Sequence, residues 1–213
     1  MTTSSDNFNR PSNTDLGAAW DIYAGLTGCQ IVNNIEVAAS GVNATSEEYY
    51  NAFVPGNDQF AQVTITAFAS AVYEDIGVGM RSDIPANGRF FYQALAELNN
   101  GTQTSELIVR SSGGTVTLST DINNPWSVSD VLAITANSTT ISVYRNGSII
   151  SPLTVTDSTL TAGGGSIRIK NSTGGNLEDV KLDNFTVGDY ADWVGAPTTP
   201  AINTQWNGVI QRI

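Results

Sequence analysis

Short runs of alternating apolar and polar residues, each ended by a turn signal, constrain this chain more than any other feature. Ala61, Val63, Ile65 and Ala67 share one side of an extended segment, while Gln62, Thr64 and Thr66 take the other. Val116 and Leu118 oppose Thr115, Thr117 and Ser119 in the same way, and Ile167 and Ile169 oppose Arg168 and Lys170. A period of two belongs to half-buried antiparallel strands. Further strands are expected at 34–40, 77–81, 90–98, 107–110, 131–135 and 141–144. Between them, Asn99-Asn100-Gly101, Gly113-Gly114 and Asn146-Gly147 accept the positive backbone angles of tight hairpins. About a dozen short strands punctuated like this predict two packed sheets. Ala94 to Leu98 has helix-forming composition, but the Asn-Asn-Gly turn directly after it argues for a strand.

Two near-copies of one motif bracket these strands: Asp6-Asn7-Phe8-Asn9-Arg10 at the start and Asp183-Asn184-Phe185-Thr186 at the end. The echo predicts that the two ends of the domain lie side by side. Val180 and Leu182 have one parity, Phe185 and Val187 the other, so a bulge is expected near Asp183-Asn184 to return the apolar face to the core. Leu16-Gly17-Ala18-Ala19-Trp20 and Asp157-Ser158-Thr159 leading to Gly163-Gly164-Gly165 lie between the brackets. This combination resembles the concanavalin A-like, laminin-G-like jelly roll of bacterial and phage surface proteins, over roughly residues 5 to 190. The resemblance implies an all-β fold, an antiparallel two-sheet jelly-roll sandwich. The expected organisation is a sandwich over 1–192 and an extended C-terminal tail over 193–213.

In that tail, Gly195-Ala196-Pro197-Thr198-Thr199-Pro200 reads as a linker. Trp206, Val209, Ile210 and Ile213 form an apolar end too short to make its own core. They fold back on their own sandwich or serve as an interface with a neighbouring subunit.

Twenty acidic against nine basic residues give a net charge of −11, with no basic cluster, which argues against nucleic acid and anionic lipid as partners. Histidine is absent, which removes Ser-His-Asp and Cys-His catalysis and every imidazole metal site. Cys29 has no intrachain partner, and its flanks read as a semi-buried strand in which it packs as a small hydrophobe. Residues 1 to 15 are polar, and no run approaches the ~18 apolar residues that span a membrane. A soluble protein made in the cytoplasm is expected. The six Asn-x-Ser/Thr sequons then report only a chain rich in Asn and Thr.

Carboxylates are the plentiful chemical groups. Laminarinase-like members of the resembled superfamily carry Glu-x-Asp-x-x-Glu or Glu-x-Asp-x-Glu on one strand, and neither pattern occurs here. Glu47-Glu48, Glu74-Asp75 and Glu178-Asp179 are adjacent pairs whose members point to opposite faces of a strand. Glu97 and Glu106 can meet across a hairpin, where a solvated surface pair is the default. The expectation is no catalytic residues and no enzyme. The resemblance also implies a structural calcium ion where first and last strands meet, at Asp6 and Asp183. The alternative is that these acids cap turns or pair with Arg10 and Lys181. Glycan binding needs exposed rings, and the candidates are Tyr49, Tyr50, Trp126 and Tyr144, with Trp126 also read as a packing residue.

A composition rich in Thr, Ser, Asn and Gly with two lysines suits material displayed outside cells. With no signal peptide, the expected role is a non-enzymatic structural protein on a phage virion surface, as capsid decoration or tail-associated subunit. It would be oligomeric or held by other virion proteins. The alternative is an extracellular carbohydrate-binding adhesion module, and a glycoside hydrolase or lyase rests on fold analogy alone.

Overall fold

The computed structural model describes residues 3–33, 36–39, 41, 45–68, 73–83, 89–99, 101–171 and 179–193. Among them are fifteen strands, numbered in chain order, in two sheets. The eight-stranded sheet runs β13 (Ser148–Thr156), β12 (Thr140–Arg145), β11 (Val131–Asn137), β6 (Gln59–Phe68), β15 (Val180–Asp189), β4 (Glu36–Ala39) and β3 (Cys29–Val32), with β1 (Thr3–Asp6) also on β15. The seven-stranded sheet runs β10 (Gly114–Asp121), β9 (Thr102–Ser111), β8 (Phe91–Asn99), β7 (Tyr73–Ser82), β14 (Gly164–Lys170), β5 (Thr45–Tyr50) and β2 (Trp20–Ile22). Every ladder between these strands is antiparallel.

The alternation delivers one continuous core between the sheets. Val63, Ile65 and Leu182 of the first sheet meet Ile76, Val78 and Ile167 of the second, all fully buried. Ala94 to Leu98 is strand, because β7 and β9 hydrogen-bond it on both sides and outweigh its helix propensity. The exception to the pattern is Val116, which is 56% exposed. It sits on β10, which ends the sheet with β9 as its partner, and the register slips between Thr117 and Ser119.

The two Asp-Asn-Phe copies lie together, with Asp6 of β1 opposite Phe185 of β15. On β15 the ladder with β6 steps from Asp183↔Thr64 to Thr186↔Gln62, one residue more on β15 than on its partner. Asn184 takes φ 54° inside that step, and both Phe185 and Val187 return to the core. The expected bulge is therefore present. Gly165 is required by close approach, since a Cβ there would stand 2.6 Å from the tip of the Phe185 ring.

Trp20 joins the two ends. Its ring packs on Phe185 at 4.9 Å, Tyr50 at 5.0 Å and Phe8 at 5.8 Å between centroids. Its indole N–H donates to Asp6 Oδ2 at 2.9 Å, from the second sheet to the first. A second strut crosses between the sheets where Glu48, on the core side of β5, accepts the backbone N–H of Cys29 in β3 at 2.6 Å. Cys29 is itself buried in the core. Burial pushes the Glu48 carboxyl up to about 7, and the charges of Asp15 and Asp21 add to the effect.

The sandwich continues through a short 3-10 turn, Tyr190–Asp192, to Trp193. Trp193 is buried against Phe60 and Tyr144 on the outer side of the eight-stranded sheet. The expected interface residues Trp206, Val209, Ile210 and Ile213 lie outside the described residues. Among the described residues, no helix is long and apolar enough to cross a membrane.

Two stability predictions arise here. Trp20→Phe keeps an aromatic ring but leaves an acceptor of Asp6 unfilled, an expected loss of about 1–3 kcal/mol in urea unfolding. Trp20→Ala also opens a cavity and is expected to cost about 3–5 kcal/mol; equal losses would mean that the ring contacts contribute little. Glu48 has a folded-state pKa raised above its unfolded value near 4.5, so its contribution to stability falls as pH rises from there through about 7. Glu48→Gln keeps an acceptor for Cys29 and removes that titration. Its stability relative to the wild type should rise between pH 5 and 8, by about 1–3 kcal/mol, and parallel pH profiles would refute the assignment.

Candidate functional site

Strand parity divides the seven-stranded sheet into a core side and an outer side. Ile76, Val78 and Met80 of β7 enter the core, so Asp75, Gly77 and Gly79 belong to the outer side. Register then places Glu47 of β5 beside Arg168 of β14, Arg168 beside Gly77, and Gly77 beside Leu95 and Glu106 across β8 and β9. The next row is Lys170, Asp75, Glu97 and Thr104, and a third contains Tyr49, Ser166, Gly79, Gln93 and Ile108. Four carboxylates from four different strands thus share one face.

This face holds ionic groups away from water. Glu47, Asp75 and Gln93 are each 0% exposed. Arg168 makes a two-pronged pair with Asp75, Nε to Oδ1 and Nη2 to Oδ2, both 2.8 Å. Gly77 is required by close approach, because a Cβ would lie 2.7 Å from Leu95 Cδ2 and 3.1 Å from Arg168 Cβ. Arg89 pairs with Glu47, and Gln93 Nε2 donates to Glu47 Oε1 at 3.2 Å. Burial pushes the Glu47 carboxyl above its usual range, against the pull of Arg89 and Arg168. Gln93 Oε1 and Arg89 Nε are buried without a hydrogen-bond partner.

Beside these buried groups on the same face lies a more accessible belt. Tyr73 donates its hydroxyl to Glu97 Oε1 at 2.6 Å, and Thr104 donates to Glu97 Oε2 at 3.2 Å. Lys170 Nζ stands 3.7 Å from the centre of the Tyr73 ring. Glu106, diagonal to Glu97 across the β8–β9 ladder, is pushed upward first by burial and then by the Glu97 charge. Beside the polar belt, Tyr23, Tyr49, Phe91, Leu95 and Ile108 form an apolar cluster on the same side of the sheet.

The expected glycan-binding rings do not assemble. Tyr49, Tyr50, Trp126 and Tyr144 are only 2–7% exposed, so none offers an open face for stacking. Tyr49 belongs to the apolar cluster of the outer side, and burial and Asp21 push its hydroxyl up to about 12. Tyr50 points to the core, where its hydroxyl bonds Ser4 Oγ at 3.0 Å. Trp126 packs in the core and donates its indole N–H to Ser105 at 2.8 Å, consistent with its reading as a packing residue. Tyr144 is covered by Trp193 at 4.2 Å on the other sheet.

The expected calcium ligands do not fit that role. Asp6 Oδ1 accepts Phe8 N at 2.8 Å and Arg10 Nη1 at 2.7 Å, while Oδ2 accepts Arg10 Nη2 and Trp20 Nε1, both at 2.9 Å. Its four acceptor positions are filled, one pair by a cation already. Burial opposes the charge, but these donors hold the Asp6 carboxyl below its usual value. Asp183 accepts the backbone N–H of Asn184, and Lys181 pairs instead with Glu36 at 2.6 Å. Among the described residues, no group of three acidic, histidine or cysteine side chains converges to hold a metal.

Sequence reasoning named Glu97 and Glu106 and set them aside as solvated. Glu97 is instead buried and doubly bonded. Glu47, Asp75, Gln93 and Arg168 escaped notice as a group because no single strand carries more than one of them. The available signal was Arg168 interrupting Ile167 and Ile169, a charge on the outer parity of a strand that is otherwise buried.

No protein-family model and no curated protein sequence matches the chain. Solved structures share its fold. A carbohydrate-binding module from Bacillus subtilis aligns with TM-score 0.57 at 13% identity, covering 80% of this chain and 94% of its own. A Bacillus licheniformis β-glucanase aligns with TM-score 0.57 at 13% identity, covering 88% and 97%. The carbohydrate recognition domain of Emp47p aligns with TM-score 0.58 at 11% identity, covering 87% and 96%. The glucanase corrects the expectation that this chain is no enzyme: its scaffold is one on which hydrolases are built, so a missing one-strand motif and missing histidines do not exclude catalysis. At these identities the likeness speaks to fold. The chain has the two-sheet jelly-roll sandwich of concanavalin A-like and galectin-like domains.

Proposed function

We propose that this domain binds carbohydrate on the outer side of its seven-stranded sheet. The observation that carries the reading is the polar belt of Tyr73, Glu97, Thr104 and Glu106 beside the buried Arg168–Asp75 and Arg89–Glu47 pairs. Sugars are recognised by fixed acceptors and donors, and this face presents such groups in the half-buried Tyr73, Thr104 and Glu106. The hydrogen bonds of Tyr73 and Thr104 to Glu97 hold the belt in one arrangement, which lowers the ordering cost of binding. The similar structures described as a carbohydrate-binding module and a carbohydrate recognition domain support the same reading.

No observation favours the virion-surface role expected from the sequence, and none of the three similar structures named above is described as a virion protein. The adhesion alternative carries the weight instead.

Glycan-array binding followed by calorimetry, with β-glucans among the probes, tests the proposal. Glu97→Gln and Glu106→Gln are each expected to weaken a detected sugar at least about tenfold, the loss of one charge-assisted hydrogen bond. Unchanged melting temperatures would show that the fold survives both changes. Binding to no glycan, or binding indifferent to both substitutions, would overturn the assignment of this face. The same incubations, analysed for shortened oligosaccharides, report whether bound sugar is also cleaved.

A further inference from the structure

Near the end of β7, Arg81 takes φ 49°, a left-handed backbone angle that is costly for a residue with a long side chain. It is only 2% exposed. Its guanidinium is held by backbone carbonyls of three separate segments. Nε and Nη2 donate to Asn57 O at 3.1 and 2.9 Å, Nη2 also to Ser138 O at 2.7 Å, and Nη1 to Leu160 O at 2.8 Å. Its backbone N–H donates to the buried Gln59 side chain at 2.8 Å. These bonds commit all but one of the guanidinium hydrogens, and the one that remains is on Nη1. No carboxylate among the described residues forms an ion pair with Arg81.

Arg81 borders a cavity of about 350 Å³ whose other walls are Asn57, Asp58, Ser138, Thr139 and Thr161. These residues come from the approach to β6, the β11–β12 turn and the segment before β14, so the cavity lies at the end of the sandwich where connections of both sheets meet. Ser138 also has a left-handed backbone, φ 55°, and its N–H donates to Asp58 Oδ1 at 2.6 Å. Asp58 Oδ2 has no hydrogen-bond partner among the described residues. Burial pulls the pKa of the Arg81 guanidinium down, and Tyr92 and Asp58 work against that pull. One held cation and one held anion thus share the cavity with three hydroxyl side chains.

We infer that this end cavity is a second sugar site, one that takes the neutral terminal unit of a glycan chain. Its charges balance, so a phosphate, sulfate or carboxylate ligand meets no net attraction there. The remaining Nη1 hydrogen and the open Asp58 oxygen instead match the acceptor and donor that sugar hydroxyls offer. Small-molecule sites span roughly 300–1,000 Å³, and a cavity near the lower limit suits one sugar ring rather than a run of them. Strained backbone at Arg81 and Ser138 persists because the bonds around it fix both residues, so the polar groups are in place before a ligand arrives. From Tyr73 to Arg81, β7 runs about 26 Å, so the cavity and the polar belt are separate places. The inference rests on the reading of this domain as a carbohydrate binder and adds to it, since the sheet face would take the body of a chain and the cavity its end.

The test is amide NMR of the isotope-labelled full chain, titrated in turn with glucose, galactose, mannose and fructose, and with inorganic phosphate as the anionic probe. Saturable shifts of the Ser138, Thr139 and Thr161 amides are expected with at least one sugar and none with phosphate. Asp58→Asn keeps an acceptor for the Ser138 N–H but puts a donor where the sugar needs an acceptor. Thr161→Phe narrows the cavity and leaves the Arg81 bonds alone. Each is expected to weaken that sugar at least about tenfold with the melting temperature unchanged. Should Asp58→Asn fail to fold, Thr161→Phe carries the comparison. No saturable shift at these amides with any of the four sugars, unchanged affinity in both variants, or a stronger response to phosphate would each overturn the inference. Oligosaccharide binding lost in Glu97→Gln but kept in Asp58→Asn would remove the cavity and leave the sheet face standing, and the reverse result would remove the face and leave the cavity.

Discussion

The Asp6 carboxylate is the point on which the closure of this sandwich depends. It receives the Phe8 amide, both outer nitrogens of Arg10 and the Trp20 indole, so its charge is buried at little unsatisfied cost. Arg10 in turn donates to the Leu16 carbonyl at 2.6 Å, which holds the connection carrying the chain from β1 in one sheet to β2 in the other. Trp20 is thereby fixed in the wedge between Phe8, Tyr50 and Phe185. First strand, last strand and both sheets converge on one hydrogen-bonded ring.

A different economy governs the outer side of the seven-stranded sheet. Burying Arg168 with Asp75 and Arg89 with Glu47 is a poor way to gain stability, since desolvation offsets most of the attraction. Apolar residues of similar volume would hold the sheet as well. What the ion pairs provide is fixed charge beside Tyr73, Glu97 and Thr104, whose hydroxyl and carboxylate groups are already oriented by one another. A face built this way suits a ligand that is itself a dense array of hydroxyls. The fold alone does not choose between holding such a ligand and cleaving it, because binding modules and a glucanase share it at similar distances from this chain.

Much of the architecture was legible in the residue pattern. Alternation at Ala61 to Ile65 and at Ile167 to Lys170 predicted faces correctly, because a strand has only two sides and each core residue declares its own. The parity break after Leu182 predicted the Asn184 bulge for the same reason. Val116 defied the pattern: parity says which way a side chain points, not whether anything lies opposite it, and β10 ends its sheet. The site was less legible. A search for acids spaced along one strand found nothing, while the structure collects its acids across strands, one each from β5, β7, β8 and β9.

The sequence by itself determined the all-β class, the pairing of the two Asp-Asn-Phe copies and the absence of imidazole chemistry, since these follow from local periodicity, a repeated motif and residue inventory. Tertiary structure decided which rings are covered and which charges are neighbours. Tyr144 became a packing residue because Trp193 folds onto it, and Asp6 became unavailable to a cation because Arg10 and Trp20 reach it first. Those outcomes depend on register between strands far apart in the chain, and period-two alternation is blind to register: it assigns each residue a side of its sheet and leaves its neighbours on that side to the pairing of whole strands.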